Sequence, residues 1–193
     1  MLRLTGSARS VAEVVAIAEH IASLTAAAAA FQLNVDVPIA PTDERPAPLI
    51  PLIDELTAGE SAATLEQIRG WASGALGVDR VPAIWRALAH DPRLLESTWR
   101  KDQLVRASGV LDELVKGCAA LAVAQFRQSA YWIRYLTQYL RIRCQLDDRG
   151  LVEIAGAVMH YISFNTMGAG LGTPEKHLAA IRKFAESAID KHR

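Results

Sequence analysis

Side chains capable of chemistry concentrate between residues 127 and 143. Tyr131, Tyr135 and Tyr139 recur every four residues, Trp132 stands beside the first of them, and Arg127, Arg134 and Arg141 recur every seven. On a helix, at about 100° per residue, Trp132, Tyr135 and Tyr139 form one stripe while Tyr131, Arg134 and Arg141 form the adjoining one. An aromatic and cationic face has two physical uses. It can grip an anionic aromatic or carboxylate ligand by stacking and guanidinium hydrogen bonds, with Arg127 and Arg134 as the candidate anion-binding cations. It can equally be a subunit interface, or a half-buried face with snorkelling arginines.

His160 sits in the apolar stretch Val158 to Phe164, where an imidazole can move a proton near neutral pH or can serve as a hydrogen-bonded structural residue. His20, His90, His177 and His192 are dispersed, with no pair at the i, i+4 spacing of a helical metal site, so no metal and no cofactor is expected. The two cysteines, Cys118 and Cys144, read as reduced thiols in a core. Gly168, Gly170 and Gly172 precede a helical pattern, but no strand feeds them and no Lys-Ser/Thr follows. They predict a helix end and linker and not a phosphate loop.

The elements that position these residues are helices. Five of the eight prolines fall between Pro38 and Pro51, where alternating proline and charge excludes helix and central strand and predicts a linker. Before it, an Ala-rich helix is expected over about 10–32, with Val11, Val14, Val15, Ala18, Ile21, Ala22 and Leu24 as its apolar stripe. One such helix cannot fold alone, so it must dock on its own chain or on a neighbouring subunit. After the linker every apolar pattern has helical period, and helices are expected near 60–75, 82–90, 92–107, 110–126, 129–144, 148–168 and 174–191. Asp91-Pro92 and Thr173-Pro174 pair a capping oxygen with a proline at the first helical position, and Asp147 and Asp148 favour the positive end of a helix dipole. The predicted class is all-α.

Composition limits the partners. A chain of 193 residues can bury about 70% of its extended surface and needs no staples. Its 21 basic and 21 acidic side chains cancel, so no overall field attracts nucleic acid or an anionic membrane. With 51% hydrophobic residues the chain is not disordered, yet no uncharged apolar run reaches the length of a membrane span. Glu13, Glu19 and His20 interrupt the apolar stretch from Val11 to Phe31, which argues against a secretion signal and for a cytoplasmic location.

Two runs, VPAIWRALAHDPRLLESTW (Val81 to Trp99) and KGCAALAVAQFRQSAYWIRYL (Lys116 to Leu136), followed by LDDRGLVEIAGAVMHYISFNTMGAGL, resemble the alkylhydroperoxidase D-like and carboxymuconolactone decarboxylase superfamily over roughly residues 48–172. The family's working motif is a Glu, eleven further residues, then Cys-x-x-Cys-x-x-x-His, with the first Cys near a helix start. A helix N-terminus lowers a thiol pKa, and the Glu and His can relay its proton. Matched residue by residue, the Glu position is Gly117, the Cys positions are Ser129 and Trp132, and the His position is Leu136. Ser129 can still cap the helix, but the resemblance then implies loss of the disulfide chemistry that two thiols support. A weaker likeness, carried by APLIPLIDELTAG and WRALAHDP, is to the helical 2-haloacid dehalogenases. Their water-activating aspartate would fall at Ile84, and Asp79 is too far upstream to replace it.

The resemblance implies an alkylhydroperoxidase D-like helical bundle at 52–193, preceded by an N-terminal helix at 1–37 and a Pro-rich linker at 38–51. The expected function is a member of that superfamily without a thiol redox site, acting as a small-molecule-binding or oligomeric interaction protein. The alternative is an enzyme with a relocated site, decarboxylase-like, peroxidase-related or dehalogenase-like, in a pocket formed by Ser129, Tyr131, Trp132, Tyr135, His160 and Asn165. Expected partners are further copies of the chain, as a dimer or trimer, and a small-molecule ligand, with neither nucleic acid nor membrane.

Overall fold

The computed structural model describes residues 8–36, 47–107 and 109–170. They fall into two units, 1–154 and 155–193. Among the described residues the regular elements are all helical: α1 (Ala8–Ala30), α2 (Ala62–Leu76), α3 (Ala83–Leu88), α4 (Pro92–Arg106), α5 (Glu113–Phe126), α6 (Ala130–Arg143) and α7 (Asp148–Gly170), with two short 3-10 turns before α2. The all-α expectation holds. The expected helix at 174–191, the Thr173 cap and most of the Pro-rich stretch lie outside the described residues.

Local chemistry sets the helix starts. Asp91 Oδ1 accepts the N–H groups of Arg93 and Leu94 at 3.0 and 3.1 Å, with Pro92 opening α4. Asp112 Oδ1 accepts from Val115 at 2.8 Å, Ser129 Oγ from Trp132 at 3.4 Å, and Asp147 Oδ1 from Gly150 at 2.8 Å. Each bond satisfies one of the donors that a helix N-terminus leaves without a partner. The fifth helix therefore begins at Glu113, not near 110, because Asp112 is its cap. At the far end of α2, Gly77 turns the chain at φ 66°, a left-handed conformation that glycine adopts without strain.

In the first unit the core is built from Ile68, Leu76, Ile84, Trp85, Leu95, Leu121 and Leu140, and α1 joins it through Ile17, Ile21, Leu24 and Ala28. The N-terminal helix thus docks on its own chain, where each fully buried Ile or Leu contributes about 1.5–3 kcal/mol before chain entropy is counted. The expected stripe needs correction. Val11, Val14 and Val15 are 58%, 40% and 59% exposed. The buried face instead runs through Ser10, Ile17, His20, Ile21, Leu24 and Ala28, because polar contacts made by Glu13 and His20 turn that side inward. By length and apolarity alone α1 could cross a membrane, yet its inward face belongs to this core.

A second correction concerns the aromatic stripe on α6. Trp132, Tyr135 and Tyr139 are buried, as is Tyr131, and only Arg134 and Arg141 of the expected face remain exposed. Trp71 of α2 stacks on Tyr135 and Tyr139, each at 6.2 Å between ring centroids, so the stripe is the bundle's own aromatic core. In the second unit, residues 155–170 continue α7 and expose Met159 and Tyr161.

Candidate functional site

Charged side chains converge where α1, α4, α5 and α6 meet. His20, 2% exposed, donates from Nε2 to Asp102 Oδ1 at 3.2 Å. The other carboxylate oxygen of Asp102 accepts from Arg106 Nε at 2.7 Å and from Arg106 Nη2. Asp102 and Arg106 are four residues apart on α4, the spacing at which helical side chains meet. The Arg106 guanidinium lies 4.0 Å from the Trp71 ring centroid and 5.3 Å from that of Trp99. Burial opposes ionisation of Asp102, but the Arg106 charge and the bonds from His20 and Arg106 outweigh it and hold the carboxyl below the usual range.

The rim of the site hangs from α1. Glu13 accepts the Val110 and Leu111 N–H groups at 2.8 and 3.0 Å and pairs with buried Lys116 at 3.3 Å. These two backbone bonds, with Lys116 adding to them, depress Glu13 to about 2. Gly109 makes the approach possible, since a Cβ there would lie 2.4 Å from Glu13 Oε1. Lys116 Nζ also donates to the Ala107 carbonyl at 2.6 Å, tying the end of α4 to α5. On the opposite wall, Glu113 accepts Tyr139 Oη–H at 2.6 Å and both Nε and Nη2 of Arg143, at 3.0 and 3.2 Å. Burial acts to raise the Glu113 pKa, and these hydrogen bonds with the Arg143 and Arg106 charges reverse it.

Two spaces open here. An outer groove of about 570 Å³ lies between Arg106, the 109–112 rim, Glu113 and Arg143. It shares Trp71, Arg106, Glu113 and Tyr139 with an inner cavity of only about 20 Å³, little more than one water molecule needs. Gly117, Trp132 and Leu136 line that inner cavity. Trp132 is a fixed wall of it: the residue is 1% exposed and its Nε1 donates to the Leu24 carbonyl at 2.9 Å. At Gly117 an added Cβ would lie 2.6 Å from Leu140 Cδ2, so no larger residue fits unless Leu140 moves.

Of the other expected residues, three on the first unit meet at a different groove. Ser129, Tyr131 and Arg127 line a separate groove of about 360 Å³ beside the end of α1. Tyr131 and Trp132 do touch, with ring centroids 5.5 Å apart, and Trp132 lies 4.7 Å from Tyr135. Arg127 and Arg134 are exposed. His160 and Asn165 are exposed residues of the second unit, His160 meeting Tyr161 edge-on at 6.0 Å, so His160 is not the core histidine its apolar neighbours suggest. Burial pushes the phenols of Tyr131, Tyr135 and Tyr139 well up, leaving none of them a base at neutral pH. It also raises the thiols of Cys118, helped by the Asp112 charge, and Cys144, helped by Glu113. Ile84, the dehalogenase position, is fully buried and donates its N–H to Tyr131 Oη at 3.2 Å; the carboxylate beside it is that of Asp36, whose Oδ2 accepts the Ala83 N–H at 2.6 Å.

Helix order, the Ser129-capped α6 and the cavity lined by Gly117, Trp132 and Leu136 define an alkylhydroperoxidase D-like helical bundle. The chain is similar to the crystal structure of the alkylhydroperoxidase AhpD core from Rhodospirillum rubrum, with 27% identity and a TM-score of 0.56 over 65% of this chain and 91% of that one. The fold and this likeness support an alkylhydroperoxidase D-like superfamily relationship for the chain. No family model matches the sequence, and no curated protein does.

Proposed function

We propose that the chain is an alkylhydroperoxidase D-like protein that works without a dithiol site, as a cytoplasmic small-molecule-binding protein that associates with further copies of itself. The observation that carries this reading is Trp132, whose indole fills the space where the family pattern places a reactive thiol and is pinned there by Leu24. Ser129 retains the capping role at the other thiol position but offers no sulfur. The two cysteines present are partly buried with raised pKa values, which disfavours the thiolate that attacks a peroxide. The aromatic stripe no longer supports self-association; the exposed Val11, Val14 and Val15 on one face of α1 do. Organic hydroperoxide should not be consumed in the presence of a dithiol reductant. Consumption that disappears in a Cys118→Ala, Cys144→Ala variant overturns the reading.

A further inference from the structure

We propose that the outer groove binds a small molecule bearing a single carboxylate, taken by Arg106 at the inner end and Arg143 at the rim. This deepens the ligand-binding reading by naming the site and the ligand's chemistry. Most acceptors around the groove are already committed to donors of the protein. Asp102 spends both oxygens on His20 and Arg106, and Glu113 spends both on Arg143 and Tyr139. Glu13 is taken by the rim N–H groups and the Ala107 carbonyl by Lys116. Arg106, Arg143 and Gln103 line the groove, and Nη1 of each arginine and the Gln103 amide carry no hydrogen bond among the described residues. Against these two guanidinium edges stand only one uncommitted oxygen of the exposed Asp112 carboxylate and the carbonyl of the neutral Gln103 amide, so the charge left to satisfy is cationic and the matching ligand group is an anionic acceptor.

A guanidinium has five N–H donors in a fixed fork, so an arginine that grips one carboxylate of the protein still offers an edge to a second. Arg106 is held for that task, locked by Asp102, steadied through His20 and flanked by two indoles. Its side chain is only 18% exposed, so water screens the attraction less than at an open surface. Trp71 is already packed on Arg106, Trp99, Tyr135 and Tyr139, which leaves recognition to hydrogen bonds and not to stacking. At about 570 Å³ the groove is of the size that takes small organic ligands. The exposed Asp112 carboxylate on the same groove offsets part of the positive charge of the two arginines, which favours a ligand with one negative group over one with several.

The test is calorimetric titration of the intact protein with acetate, hexanoate, benzoate and 2-naphthoate, each against its uncharged amide. At least one acid should bind about tenfold or more tightly than its amide, and Arg143→Gln should weaken that acid by about tenfold, the usual effect of removing a charged hydrogen bond. Arg143 is 47% exposed at its side chain, so its variant folds even if Arg106→Gln, which strands Asp102, does not. Arg149→Gln, an exposed residue of α7 that pairs with Glu153 and does not line the groove, should bind as the parent does. Failure of every acid to bind, equal affinity for acid and amide, or an unaffected Arg143→Gln protein overturns the proposal. None of these outcomes bears on the hydroperoxide assay, so the two readings fail separately.

Discussion

Trp132 is the residue on which the site turns. Its burial and its bond to the Leu24 carbonyl make it both a plug and a tie between α6 and α1. Trp132→Ala should cost about 3–5 kcal/mol, measured from the urea midpoint, since cavity formation and loss of the indole hydrogen bond to α1 act together. A change below about 1 kcal/mol would mean the site collapses freely and the indole is no plug. Glu13 gives a prediction with a definite sign. Its pKa falls from the ordinary 4.5 to about 2 on folding, so the stabilisation is complete above 4.5 and drains away as pH drops toward 2. Glu13→Gln should therefore be less stable than the parent at pH 7, with the difference shrinking through that window. A gap between the two proteins that stays constant from pH 5 to pH 2 contradicts the assigned contact.

At the scale of elements, α1 is an integral wall and not a tethered arm. Backbone amides of residues 17–28 should exchange with solvent nearly as slowly as those of α5, and His20→Ala should speed them by leaving the buried Asp102 Oδ1 without its donor from α1, an effect readable by mass spectrometry. Free-peptide exchange rates in α1 of the parent protein contradict the docked structure. How far the sequence could be read differs by element for a physical reason. The caps at Asp91 and Ser129 are legible because donor and acceptor lie within three residues. The inward face of α1 is not, because its selectors, Glu13 and His20, find partners 97 and 82 residues away. Apolar periodicity alone favours the valines, and tertiary hydrogen bonds overrule it. The same holds for the site. Gly117, Trp132 and Leu136 are found through the family pattern and do share one cavity, and the i, i+4 pair of Asp102 and Arg106 is a local signal on α4. His20 and Trp71, which complete the arrangement, carry no signal in their own segments.

At the scale of the whole molecule, the exposed valines of α1 bear on assembly. Light scattering at tens of micromolar should give the mass of a dimer or trimer, and Val11→Glu with Val15→Glu should lower it. A monomeric mass in the parent removes the self-association part of the proposal. The attachment of Glu13 to the 109–112 rim reaches further than stability. One carboxylate holds both the N-terminal helix and the lip of the outer groove, with Lys116 and Arg9 as its facing cations. A ligand that requires the lip in this position and a proton arriving at Glu13 would be thermodynamic competitors. For such a ligand linkage is reciprocal: the factor by which protonated Glu13 weakens the ligand is the factor by which the bound ligand resists protonation of Glu13.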